Sequence, residues 1–583
     1  MPSPEASARP SRRILWAIGV LAAASFLPAL WNGFVYDDDG YVLRNSLIAS
    51  PSLDDLRAIL TRPYFGNFHP LHVLLLALQR MVFGLRPAPW HAVSLTLHAA
   101  NAILLVRLLP RFGIPPTIAV SGAAIFAVHP IQVESVAWVS EQKNLLSLLF
   151  TLLALEGYLT ARASGRWWPL LGASAAYLAA LASKVQSVGL LPVLFAIEYL
   201  RPSVLPAPRG RPLVRLLPFV ALGGLWINLA ILAHGRAGFI KPYPGGSLIA
   251  TVLSAGPVLV AYAGNLLWPL HLSAEYDLLP AGELPRIHLA ATWVILGCAA
   301  LGLRRACLRD QGGRITLGLV WVAGFLLPVM NLVPIGPLMN DRYLYAPLCA
   351  LGPLLAAGAC EIVRRAIPRG KLRAPDGPVV AVMGAAIAAL ALASAVRSEV
   401  WRDEFRLWRD AAAKSPRSHL ARYNLGTIWL ERGRADLAEV ELRAAMEADP
   451  TRPAPYKNLG VLHYRQKRFR LASALFRAGI RLAPANYDLW LSLAVAEAAA
   501  GRQVQALAAI RRAASLDPQA ARPHYVEGML LERTGDAEGA SAAFRKFISL
   551  QRGETKDRRA AEEHIRNLGS RLRSSKPPDS GGT

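Results

Sequence analysis

Residues 14–45 read ILWAIGVLAAASFLPALWNGFVYDDDGYVLRN. An apolar stretch long enough to cross the hydrocarbon core, which takes about 20 residues, runs directly into Asp37, Asp38 and Asp39. Adjacent carboxylates repel one another, and beside a low-dielectric slab the cost of keeping them ionised rises. Either they form a solvated turn or an N-cap, or they do chemistry at a membrane surface. The spacing is not the D-x-D-x-D-G of a calcium loop.

The rest of the chain supports the membrane reading. Of 583 residues, 53% are hydrophobic, too many for an ordinary soluble multidomain protein. The net charge of +25 does not imply nucleic acid, because much of the Lys and Arg lies in short clusters between apolar segments, where it sets orientation. The four cysteines, Cys298, Cys307, Cys349 and Cys360, form no C-x-x-C pair and imply neither a disulfide framework nor a zinc site. The N-terminal apolar stretch lacks a small-x-small cleavage site, so it reads as a retained first span.

With residues 1–13 inside, the basic clusters Arg107/Arg111, Arg162/Arg166, Arg201 to Arg215, Arg304 to Arg314 and Arg364 to Arg373 should all be cytoplasmic. Satisfying them takes spans at 14–33, 90–109, 116–133, 143–161, 167–182, 187–200, 213–233, 288–304, 315–333, 343–363 and 378–397, about eleven in all. The stretch 69–84 is short and reads as an interfacial helix. The stretch 247–270 is long enough to cross. Crossing would put Glu275, Asp277 and Glu283 inside and the arginine-rich loop outside, so a lateral or re-entrant helix is expected.

From about residue 398 the sequence changes character. After a linker helix (398–418), Pro416, Pro450, Pro484 and Pro518 recur every 34 residues, the tetratricopeptide period. Ala438, Ala472, Ala506 and Ala540 keep step, as do Gly426, Gly460, Ala494 and Gly528. Leu442, Phe476, Ile510 and Phe544 share one packing position. About four helix pairs over 419–552 are expected, forming a solenoid whose groove suits extended polypeptide, followed by a partly disordered tail, 553–583. The fold class is therefore all-α: a polytopic membrane domain (14–397) followed by an α–α repeat solenoid.

An odd number of spans leaves the repeats outside and makes the external loops rich in polar groups. The first carries the Asp triplet, His69 and His72; the second, HPIQVESVAWVSEQKN, carries His129, Glu134, Glu141, Lys143 and Asn144. Later loops add Lys184, Gln186, His234, Arg236, Glu275 and PIGPLMNDRYLY with Asn340, Asp341, Arg342 and Tyr343. His69 and His72 share a helix face but read more naturally as interfacial anchors than as metal ligands. Arg342 beside Tyr343 is also a common snorkelling pattern. Taken together, carboxylates in the early loops and cations in the later ones suit a general base for a hydroxyl and positive charge for a phosphate leaving group.

In order along the chain, GFVYDD, HPLHVLLLALQRMVFGLRPAPWHAVSLTLHAANAILL, FAVHPIQVESVAWVSEQKNLLSLLF, LASKVQSVGLLPVLF, DRYLYAPL and VWRDEFRLWRDAAAKSPRSHLARYNLG resemble the transmembrane and tetratricopeptide-repeat protein O-mannosyltransferases, in a bacterial form. The resemblance implies a GT-C glycosyltransferase that uses a polyprenyl- or dolichyl-phosphate sugar as donor substrate, needs no divalent metal or other cofactor and inverts the anomeric centre. It places Asp37 and Asp38 at the catalytic acidic pair, and the second-loop motif on His129, Glu134, Glu141, Lys143 and Asn144. The late RYLY element falls on Arg342 and Tyr343.

The reading that follows is mannose transfer to Ser or Thr of exported proteins at the periplasmic face of a bacterial inner membrane. Asp37 or Asp38 is the base, with Asp39 structural. Arg342, Lys143, Lys184 and Arg236 hold the donor phosphate, and His129, Glu134 and Tyr343 bind sugar or acceptor. The partners are the bilayer, the lipid-linked donor and substrate polypeptide on the repeats, with no nucleic acid. SKVQ departs from the family's Lys-Glu, Val185 standing where a carboxylate is expected. A membrane-anchored repeat scaffold and a lipid-linked glycan ligase or polymerase are the alternatives; a transporter is disfavoured by the scarcity of mid-span charge.

Overall fold

A computed structural model describes residues 10–366 and 377–574, apart from positions 201, 206, 239, 311, 335, 552 and 554, with side chains to 570. It is helical throughout and divides at Lys414/Ser415 into two units.

Among the described residues of the first unit, six helices are long and apolar enough to cross a membrane: Pro87–Phe112, Val139–Ser164, Pro212–Arg236, Leu248–Leu267, Arg286–Arg309 and Gly377–Trp401. Five of these match expected spans; length and composition alone do not confirm the expected count of about eleven. The expected span at 167–182 is the 16-residue helix Trp168–Ser183, and those at 14–33, 187–200 and 315–333 are shorter than expected, Arg12–Ser25, Leu190–Tyr199 and Arg314–Leu326. The physical reasons are local. Pro28 and Pro328 fall where a helix would have continued and leave one-turn 3₁₀ segments, Leu27–Trp31 and Leu327–Val329. The expected span at 116–133 bends by 48° where Pro130 follows the helix Pro116–Val128. The span expected at 343–363 begins as a 3₁₀ turn, Asp341–Leu344, before the helix Leu348–Ala366.

Leu248–Leu267, expected to be lateral or re-entrant, is helical for 20 residues and, by length and composition, can cross. The segment before it and its own last turns touch one loop: Lys241 N–H donates to Pro334 O (2.8 Å), and Tyr262 Oη, within the helix, donates to Asn340 O (2.9 Å). Elsewhere the bundle is held by backbone-close crossings. A Cβ on Gly122 would sit 2.6 Å from Pro353 Cα, and one on Gly189 would sit 2.5 Å from the Gly324 carbonyl oxygen, so only glycine permits these approaches.

The expected linker helix (398–418) contains the helix Glu404–Lys414, which belongs to the first unit. Glu404–Lys414 buries Leu407, Trp408, Ala411 and Ala412 within the first unit, and Lys414 Nζ donates to Leu272 O at 2.8 Å.

In the second unit the helices begin at His419, Pro453, Tyr487 and Ala521, each with a partner beginning at Ala435, Phe469, Gln503 and Ala537, which is the 34-residue register read from sequence. Ala438, Ala472, Ala506 and Ala540 are fully buried. Gly460 faces Phe476 so closely that a Cβ would lie 2.5 Å from Cε1. The third pair solves the same contact with Ala494 against the smaller Ile510. Gly460→Val is therefore expected to lower the repeat unit's stability by ~1–3 kcal/mol, read in chemical denaturation, whereas Gly460→Ala with Phe476→Ile copies the third pair and should recover most of it.

The tail expectation is corrected in part. Lys556–Ser574 is a helix whose Ala561 and Leu568 pack with Leu531, Phe544 and Phe547, covering the open face of the last pair. Residues 575–583, which include most of SSKPPDSGGT, lie outside the described residues, as do residues 1–9 and the part of the Arg364 to Arg373 cluster from 367 on.

Candidate active site

The segment 124–148 is buried almost without interruption although it contains His129, Glu134, Glu141, Lys143 and Asn144. Charges withdrawn from water must be paired, and here they pair with one another. Glu141 is the hub: Lys143 Nζ lies 2.9 Å from its Oε1, Lys184 Nζ 3.2 Å from its Oε2, and Arg342 Nε 3.7 Å from Oε1. Arg342 also pairs through its guanidinium with Glu134, whose Oε2 accepts the Arg342 backbone N–H at 2.7 Å. Lys184 Nζ donates to Asn144 Oδ1 at 2.6 Å. Three cations share the two carboxylates they are paired with, and Asp37, within reach of Lys143 and Arg342, and Glu275, within reach of Arg342, are further acidic groups; cations gathered this way can re-pair with an incoming anion.

Trp138 forms the wall of this cluster. Tyr36 stacks on it at 4.9 Å and Trp401 at 5.5 Å, while Lys143 and Arg342 lie 5.9 and 5.5 Å from its ring centre. Tyr36 is held at φ +57°, an uncommon conformation for a bulky residue, and Trp408 meets its edge. The helix expected to be a linker thus supports the site.

The Asp triplet divides into three roles. Asp38 is fully buried and clamps two loops: its carboxylate accepts Val35 N–H (3.1 Å), Ser140 N–H (2.7 Å) and Ser140 Oγ–H (2.5 Å). Asp39 pairs with the exposed Arg44. Asp37 is partly exposed, and its carboxylate faces the fields of Lys143 and Arg342 without a hydrogen bond among the described residues. Burial raises Asp37 above the ordinary carboxylate range, with Lys143 and Arg342 pulling the other way.

The remaining sequence candidates sort as follows. Lys143, Lys184, Glu134 and Arg342 meet in the cluster. Tyr343 is buried next to Arg342, whose guanidinium lies 5.4 Å from its ring. His129 is committed to backbone: Nδ1 accepts Ile131 N–H (3.2 Å), which leaves Nε2–H to donate to Leu266 O (3.0 Å). Arg236 is exposed at the end of Pro212–Arg236 and joins none of the cluster's ion pairs. The carboxylate missing at Val185 is supplied to Lys184 by Glu141. Glu141 as hub, Ser140 as partner of Asp38, and the Trp138 wall carried no assigned role in the sequence reading; the signal that could have found them is the second-loop stretch HPIQVESVAWVSEQKN, which contains all three. Among the described residues no three His, Cys, Asp or Glu side chains are grouped to hold a metal.

Beside the cluster, Asp341 accepts from Tyr276 Oη (2.6 Å) and Asn265 Nδ2 (3.3 Å). Burial pushes the carboxyls of Asp38, Glu275 and Asp341 each up to about 7, against hydrogen bonds at Asp38 and against Arg342 at Glu275. These groups bind a proton more tightly folded than unfolded. Stability is therefore fully present below the unfolded value of about 4 and is lost as pH rises toward 7. Lys184, lowered by burial to about 8, acts only above that window. His69, His72 and His129, lowered by burial, act in the opposite sense over the same window, so the check is differential. The fall in the full chain's unfolding midpoint in detergent that Glu275 contributes between pH 5 and 7.5 should be missing from Glu275→Gln, and a Glu275→Gln profile parallel to the wild type's contradicts this account.

No protein-family model matches the chain. It is 25% identical over 488 residues to "Protein O-mannosyl-transferase TMTC4" of Mus musculus, covering 72% of this chain and 64% of that protein. It is 24% identical over 604 residues to "Protein O-mannosyl-transferase TMTC3" of the same organism, covering 91% and 63%. It is 25% identical over 538 residues to "Protein O-mannosyl-transferase Tmtc1" of Drosophila melanogaster, covering 75% and 62%. The chain thus spans a little under two thirds of the length of these relatives. Among solved structures, the tetratricopeptide protein YrrB matches at 14% identity over 36% of this chain and 99% of its own, with a TM-score of 0.25.

Proposed function

We propose that the chain is a GT-C membrane glycosyltransferase that moves mannose from a polyprenyl phosphate to Ser or Thr hydroxyls of exported proteins. The observation that carries this reading is Asp37: a carboxylate with unused lone pairs, held above its usual pKa by burial, beside the three gathered cations Lys143, Lys184 and Arg342. The similarity to proteins named O-mannosyltransferases supports the same chemistry.

In this reading Asp37 takes the acceptor hydroxyl proton as the oxygen attacks the anomeric carbon from the face opposite the phosphate. The anomeric C–O bond breaks and its electron pair leaves on polyprenyl phosphate, whose developing charge is met by Lys143, Lys184 and Arg342. Inversion follows from a single displacement. Positive charge from side chains takes the place of a divalent metal, so EDTA should leave transfer unchanged. Tyr343 and Glu134 shape the sugar pocket, whereas Asp38 and His129 hold the loops that form it.

The cluster lies on the external face of a bacterial inner membrane in this proposal. The helices short of 20 residues complete crossings with their 3₁₀ extensions, and Leu248–Leu267 returns to the side it left, which keeps Glu275 and Asp277 outside and the arginines around Arg304 to Arg314 inside. The odd count then puts the repeats outside, where their groove recruits substrate polypeptide. The test is to incubate purified full chain with radiolabelled polyprenyl-phosphate mannose and a periplasmic extract. Label on polypeptide, released by β-elimination, is expected; label confined to glycan or lipid would contradict the acceptor assignment.

A further inference from the structure

At the opposite end of the bundle from the charged cluster lies a second chamber, a cavity of about 310 Å³ between helices that include Pro87–Leu108, Gln142–Ser164, Arg314–Leu326 and Leu348–Ala366. Its wall is almost wholly apolar, with Leu105, Leu155, Trp321 and Leu354 among the lining residues, and its charged members are Asp310 and Arg314. From Asn144 in the cluster to Leu155 is eleven residues of one helix, roughly 16 Å at 1.5 Å per residue. An apolar void of this size forfeits a large set of packing contacts, and in a bilayer a hydrocarbon chain restores them.

Between this chamber and the charged cluster lies only a small polar void of about 10 Å³, lined by residues that include Asn144, Ser147, Thr151 and Gln186, too narrow for a hydrocarbon chain as it stands. Polar contacts cross it: Ser147 and Ser187 hydroxyls 2.5 Å apart, Thr151 Oγ1 3.2 Å from Ser187 Oγ, and Gln186 Nε2 donating to Phe325 O at 2.8 Å. The apolar cavity's surroundings are basic. Arg314, the cavity's basic lining residue, is 41% exposed and bridges Asp310 (3.3 Å), while Arg107, 48% exposed and paired with Glu156 (3.1 Å), and Arg111 belong to the same segment as the lining residues Leu105, Leu108, Leu109 and Phe112 without lining the cavity themselves. Arginines outnumber carboxylates there, which suits an anionic headgroup at the membrane surface.

We propose that this cavity is a binding site for one acyl chain of an anionic phospholipid from the leaflet opposite the charged cluster. The proposal rests on the membrane reading of the bundle and is independent of sugar transfer.

The test measures thermal unfolding of delipidated full chain in detergent with added phosphatidylglycerol bearing long acyl chains, phosphatidylcholine bearing the same chains, dihexanoyl phosphatidylglycerol, and polyprenyl phosphate. Long-chain phosphatidylglycerol should raise the midpoint by roughly 2–4 °C, phosphatidylcholine and the short-chain lipid by less than half of that, and a shift given by polyprenyl phosphate, which the charged cluster would hold, should persist in the filled variants. A Cβ on Gly318 would make ordinary contacts at 3.8 Å with Ala350 and Leu354, so Gly318→Leu projects into the cavity. It should abolish the phosphatidylglycerol shift, keep a lipid-free midpoint at or above the wild type's, and leave transfer intact; Ala350→Leu repeats the test from the facing helix should the first variant fail to fold. The proposal is overturned if the filled variants keep the shift, if phosphatidylcholine or the short-chain lipid works equally well, or if polyprenyl phosphate gives a shift that the same variants remove.

Discussion

Asp37→Asn is expected to lower kcat for sugar transfer by about 10²–10⁴-fold, the usual contribution of a positioned general base, while the unfolding midpoint stays within a few degrees of wild type. Asn is nearly isosteric, and no hydrogen bond to the Asp37 carboxylate is lost among the described residues. The wild-type rate should rise with pH as the Asp37 carboxyl, held up by burial, gives up its proton. Asp38→Asn has the reverse signature. One face of the amide would confront a hydrogen-bond donor at Val35 or Ser140, leaving buried polar groups unpaired at ~1–3 kcal/mol and loosening the junction of the two loops. Its loss should appear first in stability and only secondarily in rate. If Asp38→Asn removes transfer without destabilisation while Asp37→Asn transfers normally, the assignment of the base is reversed.

Glu141→Gln is expected to be the most destabilising single change in the site. Glu141 is 2% exposed and neutralises Lys143 and Lys184, themselves about a tenth exposed. Removing one partner of a buried ion pair costs about 3–5 kcal/mol because the other charge remains buried and unmatched. The amide still accepts one hydrogen bond, which puts the expected loss toward the lower end. Removing the orphaned cation as well should restore stability: Glu141→Gln with Lys184→Met is predicted to unfold less readily than Glu141→Gln alone, with transfer still absent because a phosphate ligand is gone. A double-mutant cycle on unfolding free energy measures the coupling, and strict additivity of the two substitutions would show that the pair is not linked as described.

The repeats were legible because their period is carried by residues with local consequences. Pro450 and Pro484 end helices, Ala472 and Gly460 fix close contacts, and each acts within its own 34 residues. The membrane helices were legible as apolar runs, but not their ends. Pro28, Pro130 and Pro328 break helices by geometry while leaving hydropathy intact, so expected continuous spans became shorter helices and a bent pair. At the site, residue types pointed to the right loops without saying which residues meet. Arg236 satisfies the same sequence criterion as Lys184, yet only Lys184 reaches Glu141, and that depends on where Gly189 and Gly324 let two helices touch. The order within DDD was equally hidden: that Asp38 rather than Asp39 turns inward depends on Ser140, a hundred residues away. Trp408 read as part of a linker because its neighbours Arg406, Arg409 and Asp410 are polar, although the helix buries one apolar face within the first unit.

The claim that the charged cluster receives the phosphate of a lipid-linked sugar is met most directly by a structure of the full chain with a non-transferable polyprenyl-phosphonate mannose analogue. The account predicts the phosphonate within salt-bridge distance of Lys143, Lys184 and Arg342, with the anomeric carbon on the side of the phosphonate that faces Asp37. A phosphonate bound elsewhere, with Lys143 and Lys184 still closed on Glu141 as they are without it, would contradict it.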